Sequence, residues 1–287
     1  MKSRKAGRRK ADLSEGDVIR KTPLPITIES LTRDLKALGL APGMTILVHS
    51  SLSAMGWVCG GAVAVIKALE EVLGETGTLV MPAHSGEYSD PAYWKNPPVP
   101  ETWWQTIRDQ MPAFDPDLTP TRSMGAIAET FRKQTGVVRS NHPQVSFAAR
   151  GPSASEIISD HSLEYALGDH SPLGKLYAIG GHVLLLGCGY GNNTSLHLAE
   201  FRANYPGKRV ERGGAPVVEN RKRVWKVIED FGDDSDDFEK IGADFELSCA
   251  GELRIGKVGL ATARLMPVRV LVDFAVGWMA QNRNLGE

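Results

Sequence analysis

Apolar residues along this chain fall into two rhythms. Three short runs, MTILVHS (44–50), GTLVMPA (77–83) and GHVLLLGCG (181–189), are nearly uninterrupted and bounded by turn residues. That is the pattern of strands buried in a layered sheet. Elsewhere the period is helical. Thr27 is placed to cap a helix with Glu29 in its first turn and Leu31, Leu35 and Leu38 as its apolar stripe, which Gly39 and an APG turn end. AVAVIKALEEVLG (62–74) and GAIAETFRKQ (125–134) carry the same spacing, and a further helix opens at NNTSLHLAEF. Ser153 with Glu156 matches a capping box for a helix ending near Ser159, after a short strand at 145–149.

The order helix, strand, glycine loop, helix, strand predicts an α/β protein: a layered α/β/α domain with a central mixed sheet. After the NNTSLHLAEF helix, KRVERGGAPVVENRKRVWKVIEDF is β-rich and broken by GG and EN, so it predicts an inserted hairpin or three-stranded meander. DDFEKIGADFE predicts a short helix. The end of the chain predicts one strand and a closing helix with Pro267 near its first turn. Residues 84–122, rich in Pro, Trp and Tyr, are left as a long connection, which in a compact domain is more often functional than idle.

Charge adds one boundary. Residues 1–21 hold eight Lys or Arg and three Asp or Glu, against 25 basic and 31 acidic residues in the rest of the chain. The expected organisation is a basic flexible tail over 1–24 and a single catalytic domain over 25–287. The tail reads as a solubilising arm rather than a nucleic-acid contact. The acidic excess is concentrated in 227–246, with nine carboxylates and one lysine. Three widely spaced cysteines, Cys59, Cys188 and Cys249, form neither a disulfide framework nor a zinc cluster and are expected as free, partly buried thiols. With no apolar run of membrane length and no secretory signal, the expected location is the cytoplasm, without a membrane partner.

Four constellations carry possible chemistry. HSSLSAMGWVCGG (49–61) runs from a strand end to a helix start, where glycines and free N–H groups suit an anion, although it matches neither a Walker loop nor GxGxxG. TPTRSMG (119–125) offers Arg122 between the hydroxyls of Thr121 and Ser123 for a phosphate, or a simple cap by Ser123. His142 and His170 sit in loops, where a histidine is usually structural. In NNTSLHLAE, Thr194, His197 and Glu200 follow at three-residue steps on one helix face. HxxE alone leaves a metal site, an acid–base pair and a buried hydrogen bond all open. A carboxylate beside an imidazole fixes its tautomer, as a general base requires.

The segments VHSSLSAMGWVCGG, GTLVMPAHSG, FDPDLTPTRSMGAIAETF, RSNHPQVSFAARG, EYALGDHSPLGKLY, VLLLGCGYGNNTSLHLAEF and DDSDDFEKIG, in this order, resemble the aminoglycoside 3-N-acetyltransferase family. The resemblance runs from about residue 27 to the end. It implies acetyl transfer from acetyl-CoA to the 3-amino group of a 2-deoxystreptamine aminoglycoside, with antibiotic resistance as the consequence. It implies that His49, Ser50, Ser51, Leu52, Gly56, Val58, Gly60 and Gly61, with Thr121, Arg122, Ser123, Met124 and Gly125, contact coenzyme A. His197 becomes the catalytic histidine, with Glu200 as its orienter and Thr194 as a candidate oxyanion donor. No metal is expected.

For a polycationic acceptor, the candidate carboxylates are Glu229, Asp230, Asp236 and Asp237 on the insertion and Glu87 and Asp90 on the long connection. A monomer or homodimer is expected. Transfer to a different amine is the nearest alternative, and a metal-dependent hydrolase using His197 and Glu200 is a more distant one.

Overall fold

The computed structural model describes residues 14–232 and 234–283. Its elements begin with α1 (Glu15–Lys21), α2 (Ile28–Leu38), β1 (Thr45–Ser50), α3 (Gly61–Leu73), β2 (Thr78–Pro82), α4 (Glu101–Gln110) and α5 (Gly125–Arg132). They continue with β3 (Val138–Arg139), β4 (Phe147–Arg150), α6 (Ala154–Ile158), α7 (Pro172–Ala178), β5 (His182–Leu186) and α8 (Ser195–Arg202). The last are β6 (Val210–Glu219), β7 (Lys222–Phe231), α9 (Phe238–Ser248), β8 (Arg254–Val258), β9 (Ala261–Pro267) and α10 (Val268–Asn282).

Seven strands form one mixed sheet in the order β3-β4-β2-β1-β5-β9-β8. The three uninterrupted apolar runs are its centre: β1 pairs in parallel with β2 on one side and β5 on the other. The outer strands are antiparallel. Alternation sorts the central side chains between two cores. Ile46, Val48, Leu184 and Leu186 meet α2, α3 and α5 on one face. Leu47, Val80, Val183 and Leu185 meet α6, α7, α8, α9 and α10 on the other. The chain thus leaves β1 for β2 in one direction and reaches β5 on the opposite side. This reversal opens a crevice beyond the strands' carboxyl ends, where α/β sheets build their sites.

The layered α/β/α fold with its mixed sheet is as the sequence implies, and so is the insertion: β6 and β7 form a separate two-stranded antiparallel ladder after α8. Its turn residues Asn220 and Arg221 both have positive φ, at 50° and 62°, which gives the hairpin the twist two-residue turns need. It is a hairpin and not a three-stranded meander.

Several local expectations need correction. Of the segment expected as a tail, residues 1–13 lie outside the described residues, but Glu15–Lys21 is a helix closed by a capping box between Ser14 and Asp17. The Ser153–Glu156 box does not form, because Ser153 makes no side-chain cap bond. The long connection contains α4, and the single strand expected near the carboxyl end is the pair β8 and β9, turning at Gly259. Thr27 caps α2 with Glu29 in its first turn, as expected, and the cap is a reciprocal box with Ser30. Cys59 is exposed rather than partly buried.

Leu185 is fully buried on β5, between His49 of β1 and Arg264 of β9. Leu185→Ala is expected to lower the unfolding free energy by about 2–5 kcal/mol, read from urea titration. A loss below about 1 kcal/mol would mean that this face is not a tightly packed core.

Candidate active site

Parallel pairing of β1 and β5 brings two loops together. Ser50 lies opposite Leu186, and the Ser51 N–H donates to the Leu186 carbonyl at 2.9 Å. The next residue, Gly187, has φ of 76°, and a Cβ there would come within 2.7 Å of the Ala54 Cβ. Only glycine lets the β5 loop pass this close to the loop after β1. The chain then enters α8 through Asn193, whose Oδ1 accepts from the Ser195 N–H at 3.0 Å.

His197 and Glu200 face each other one turn apart on α8, with His197 Nδ1 2.9 Å from Glu200 Oε2. Glu200 has no solvent exposure. Its other oxygen, Oε1, accepts from Arg283 Nη1 at 2.5 Å and from the Asp234 backbone N–H at 3.0 Å. Both carboxylate oxygens are therefore engaged within the protein. The His197 ring packs on Phe238, the first residue of α9, with centroids 4.8 Å apart. Gly242, one turn further along α9, lies so close to the Tyr190 ring that a Cβ would overlap it. This close approach seats α9, and with it Phe238, against α8.

Burial pushes the Glu200 carboxyl up, but the hydrogen bonds and charges of His197 and Arg283 outweigh it and leave it below the usual carboxylate range. An ionised Glu200 can only accept from Nδ1–H, an arrangement that leaves the lone pair of an uncharged imidazole on Nε2. Thr194 Oγ1 lies 3.2 Å from Nε2 of the buried His49. Burial, and the neighbouring His197, push His49 down to about 3. His84 is pushed down to about 3 by burial first and then by His49 and His197. These two imidazoles stay neutral beside His197, and Nε2 of His84 is buried without a hydrogen-bond partner among the described residues.

The residues expected to contact coenzyme A largely converge. Ser50, Ser51, Leu52, Gly56, Val58, Gly61, Ser123, Met124 and Gly125 line one cleft of about 550 Å³, joined by Glu15 and Val18 of α1. Four expected contacts do not line it. His49 points to Thr194, and Gly60 is the cap residue before α3, in the left-handed region with φ of 88°. Thr121 gives both its N–H and its hydroxyl to Glu129, and the Arg122 N–H is bound to the His84 carbonyl. A second cleft, of about 620 Å³, shares Ser50 and Ser51 and continues along Gly187, Cys188 and Lys257.

The expected acceptor carboxylates do not form one open cluster. Asp90 is held by Arg108, Glu229 by Arg212 and Asp237 by Arg283. Asp230 accepts from the Ala166 N–H at 3.2 Å. Asp236 is exposed. Glu87 keeps one buried carboxylate oxygen without a hydrogen-bond partner among the described residues. Sequence reasoning missed Arg283, Phe238 as a ring partner of His197, and the α1 wall of the cleft. Arg283 carries no local signal, since 83 residues separate it from Glu200. Phe238 stands inside DDSDDFEKIG, and only the acidic residues around it drew notice.

The strand ends thus carry an imidazole–carboxylate pair on α8 and an extended cleft after β1, and comparison with known proteins supplies the class of protein. Residues 47–280 match the family model of aminoglycoside 3-N-acetyltransferases, and the chain belongs to that family of acyltransferases. It is similar to the SPbeta prophage-derived aminoglycoside N(3')-acetyltransferase-like protein YokD of Bacillus subtilis, with 49% identity over 92% of this chain and 96% of the relative. The crystal structure of YokD superposes with a TM-score of 0.92 at 47% identity, covering 95% of this chain and 100% of that one. AAC-IIIb, solved as a binary complex with CoASH, has a TM-score of 0.81 and 33% identity over 92% and 100% of the two chains. AAC-VIa bound to sisomicin has a TM-score of 0.81 and 31% identity over the same shares.

The buried imidazoles set a pH dependence of stability. His49 and His84 lie near 3 and His161 near 4, with His142 also held well below the ordinary 6.5 by burial. Below pH 6.5 the unfolded chain binds protons that the folded chain refuses, so stability falls as pH drops toward 4. Each histidine contributes up to about 1.4 kcal/mol per pH unit in that window. Urea midpoints are expected to fall steeply between pH 7.5 and 5. An unchanged midpoint would show that these rings are not held neutral.

Proposed function

We propose that this protein transfers the acetyl group of acetyl-CoA to the 3-amino group of a 2-deoxystreptamine aminoglycoside. The observation that carries the reading is the His197–Glu200 pair. Its carboxylate is fully engaged inside the protein, and its geometry leaves Nε2 as the open nitrogen. The cleft beyond β1 receives coenzyme A in this reading, which the CoASH complex of AAC-IIIb supports. Cleft and pair share β1: Ser50 lines the cleft, and His49, the residue before it, reaches Thr194 at the start of α8.

The acceptor amine arrives as an ammonium and cannot attack until it loses a proton. That proton goes to solvent, and His197 Nε2 takes a second proton from the same nitrogen as it attacks the thioester carbonyl carbon. The negative charge that develops on the carbonyl oxygen needs a donor, and the Thr194 hydroxyl or loop N–H groups are the candidates. Collapse of the tetrahedral intermediate breaks the carbon–sulfur bond. The imidazolium returns its proton to the leaving thiolate, so the histidine ends neutral. Proton transfer by a positioned imidazole contributes roughly 10²- to 10⁴-fold.

A second reading keeps the chemistry and changes the acceptor to another amine. It is favoured by the arginines that already hold Asp90, Glu229 and Asp237. Release of free thiol from acetyl-CoA across a panel of aminoglycosides separates the two. Release with compounds bearing the 3-amino group supports the first reading. Release only with other amines supports the second. With an active acceptor in hand, His197→Ala is expected to lower kcat at least about a hundredfold, and Glu200→Gln less. A His197→Ala protein with near wild-type kcat would leave the histidine a purely structural role.

A further inference from the structure

Arg283 follows the last residue of α10 and reaches back to the pair on α8. Its side chain is only 11% exposed. Nη1 donates to Glu200 Oε1 at 2.5 Å and to the Tyr205 hydroxyl at 3.0 Å. Nε and Nη2 donate to the two carboxylate oxygens of Asp237 at 2.8 and 2.7 Å, and Nη2 also donates to the Asp234 carbonyl at 2.8 Å. The guanidinium carbon lies 5.0 Å from the Tyr205 ring centroid. One cation thus ties together α8, the segment before α9 up to its cap residue Asp237, and the end of α10.

The chemistry of the pair shows what this cation does. A buried carboxylate facing an imidazole has two arrangements with no separated proton. In one, Glu200 is ionised and accepts from Nδ1–H, so Nε2 carries the lone pair. In the other, which holds one more proton taken up from solvent, Glu200 is protonated and donates to Nδ1, the ring's own proton sits on Nε2, and the nitrogen facing the acceptor can no longer take a proton. A guanidinium in contact with Oε1 favours the first arrangement, because it stabilises only the ionised carboxylate. The other groups that face Glu200 are His197 on its own helix, the Asp234 N–H, Tyr205 and Lys208. Among these, Lys208 is a cation but donates to the carbonyls of Phe201 and Ala203 rather than to the carboxylate. Asp237 neutralises part of the guanidinium charge and fixes its plane.

We propose that Arg283 is a positioning residue for acetyl transfer: by binding Glu200 Oε1 from the end of α10, it holds the Nδ1–H tautomer of His197 and keeps Nε2 open to the acceptor amine. The inference rests on His197 acting as the base. The same anchor couples the end of α10 and the acidic 234–237 segment to the protonation of the pair.

The test compares Arg283→Gln and Arg283→Lys with the unaltered protein in kcat/KM for thiol release across pH, with thermal midpoints recorded alongside. Arg283→Gln is expected to lose at least about tenfold at pH 7. Its acidic limb should move to higher pH by at least about one unit, so the loss shrinks as pH rises. Arg283→Lys should recover most of the activity, and the KM for acetyl-CoA should stay near that of the unaltered protein. If Arg283→Gln does not fold, Asp237→Asn, which unseats the guanidinium, is expected to move the limb the same way by less.

A loss equal at every pH, or an unmoved limb in whichever of these variants folds, overturns the proposal. Nitrogen-resolved NMR of the imidazoles provides an arm that needs no acceptor. An Nδ1–H signal for His197 should be present in the unaltered protein at pH 7 and absent or exchanged to Nε2–H in the variant. If no acceptor supports transfer while this signal behaves as stated, the function reading fails and the tautomer role stands. If the signal is unchanged in the variant, the tautomer role fails.

Discussion

Everything at this site depends on keeping one carboxylate charged where no water reaches it. Removing a carboxylate from water costs several kcal/mol, and a lone partner seldom offsets that. Glu200 meets the cost with three donors drawn from separate parts of the chain: the His197 ring, the Asp234 N–H and the Arg283 guanidinium. Each donor has its own structural demand. His197 needs α8 to begin where it does after Asn193. Asp234 needs the segment after the β6–β7 hairpin to return to α8. Arg283 needs α10 to end beside α9. The sheet topology is what makes these demands compatible, because α8, α9 and α10 pack on the same face against Leu185 and Val183.

The acidic segment takes on a different meaning in that setting. Nine carboxylates between 227 and 246 read as an attractor for a polycation. Asp237 instead spends its charge on Arg283, and Phe238 beside it packs on the His197 ring. Part of the negative charge thus serves the internal network first, and only its exposed members, such as Asp236, are left to act on a solute. Long-range attraction would still follow from the net charge of the region, but specific recognition of an acceptor must draw on other groups. Among the expected acceptor carboxylates, Glu87 is the one that keeps a buried oxygen without a hydrogen-bond partner among the described residues.

Legibility in the sequence followed burial and range. β1, β2 and β5 are visible because strands buried on both faces leave unbroken apolar runs, and the helices over them show a clear stripe. α4 left a weaker trace: Trp103, Trp104 and Ile107 fall at helical spacing over a single turn, and none of its residues is buried. α1 was hidden for the same reason, with no buried residue in it. The Ser153 box failed because the backbone there, with φ of −89° and ψ of 2°, is not the extended conformation a capping hydroxyl needs. β8 and β9 merged into one expected strand because Gly259 sits inside a run whose apolar alternation continues through the turn. At the site, the i,i+3 pair was legible because helix geometry alone brings it together.

The limit is sharpest at Arg283. A sequence motif can encode a pair one helical turn apart, but the third member of this network comes from the far end of the chain. Its residue type says only that a cation is present. What converts it into part of the site is the length of α10 and the placement of Asp237, both tertiary facts. The same holds for His84, whose loop reaches the TRSMG segment through the Arg122 N–H and whose ring stays neutral beside His197. The motif thus marks the imidazole–carboxylate pair, while the groups packed around it come from segments with no motif. In this protein the imidazole is encoded locally and its tautomer is encoded by the fold.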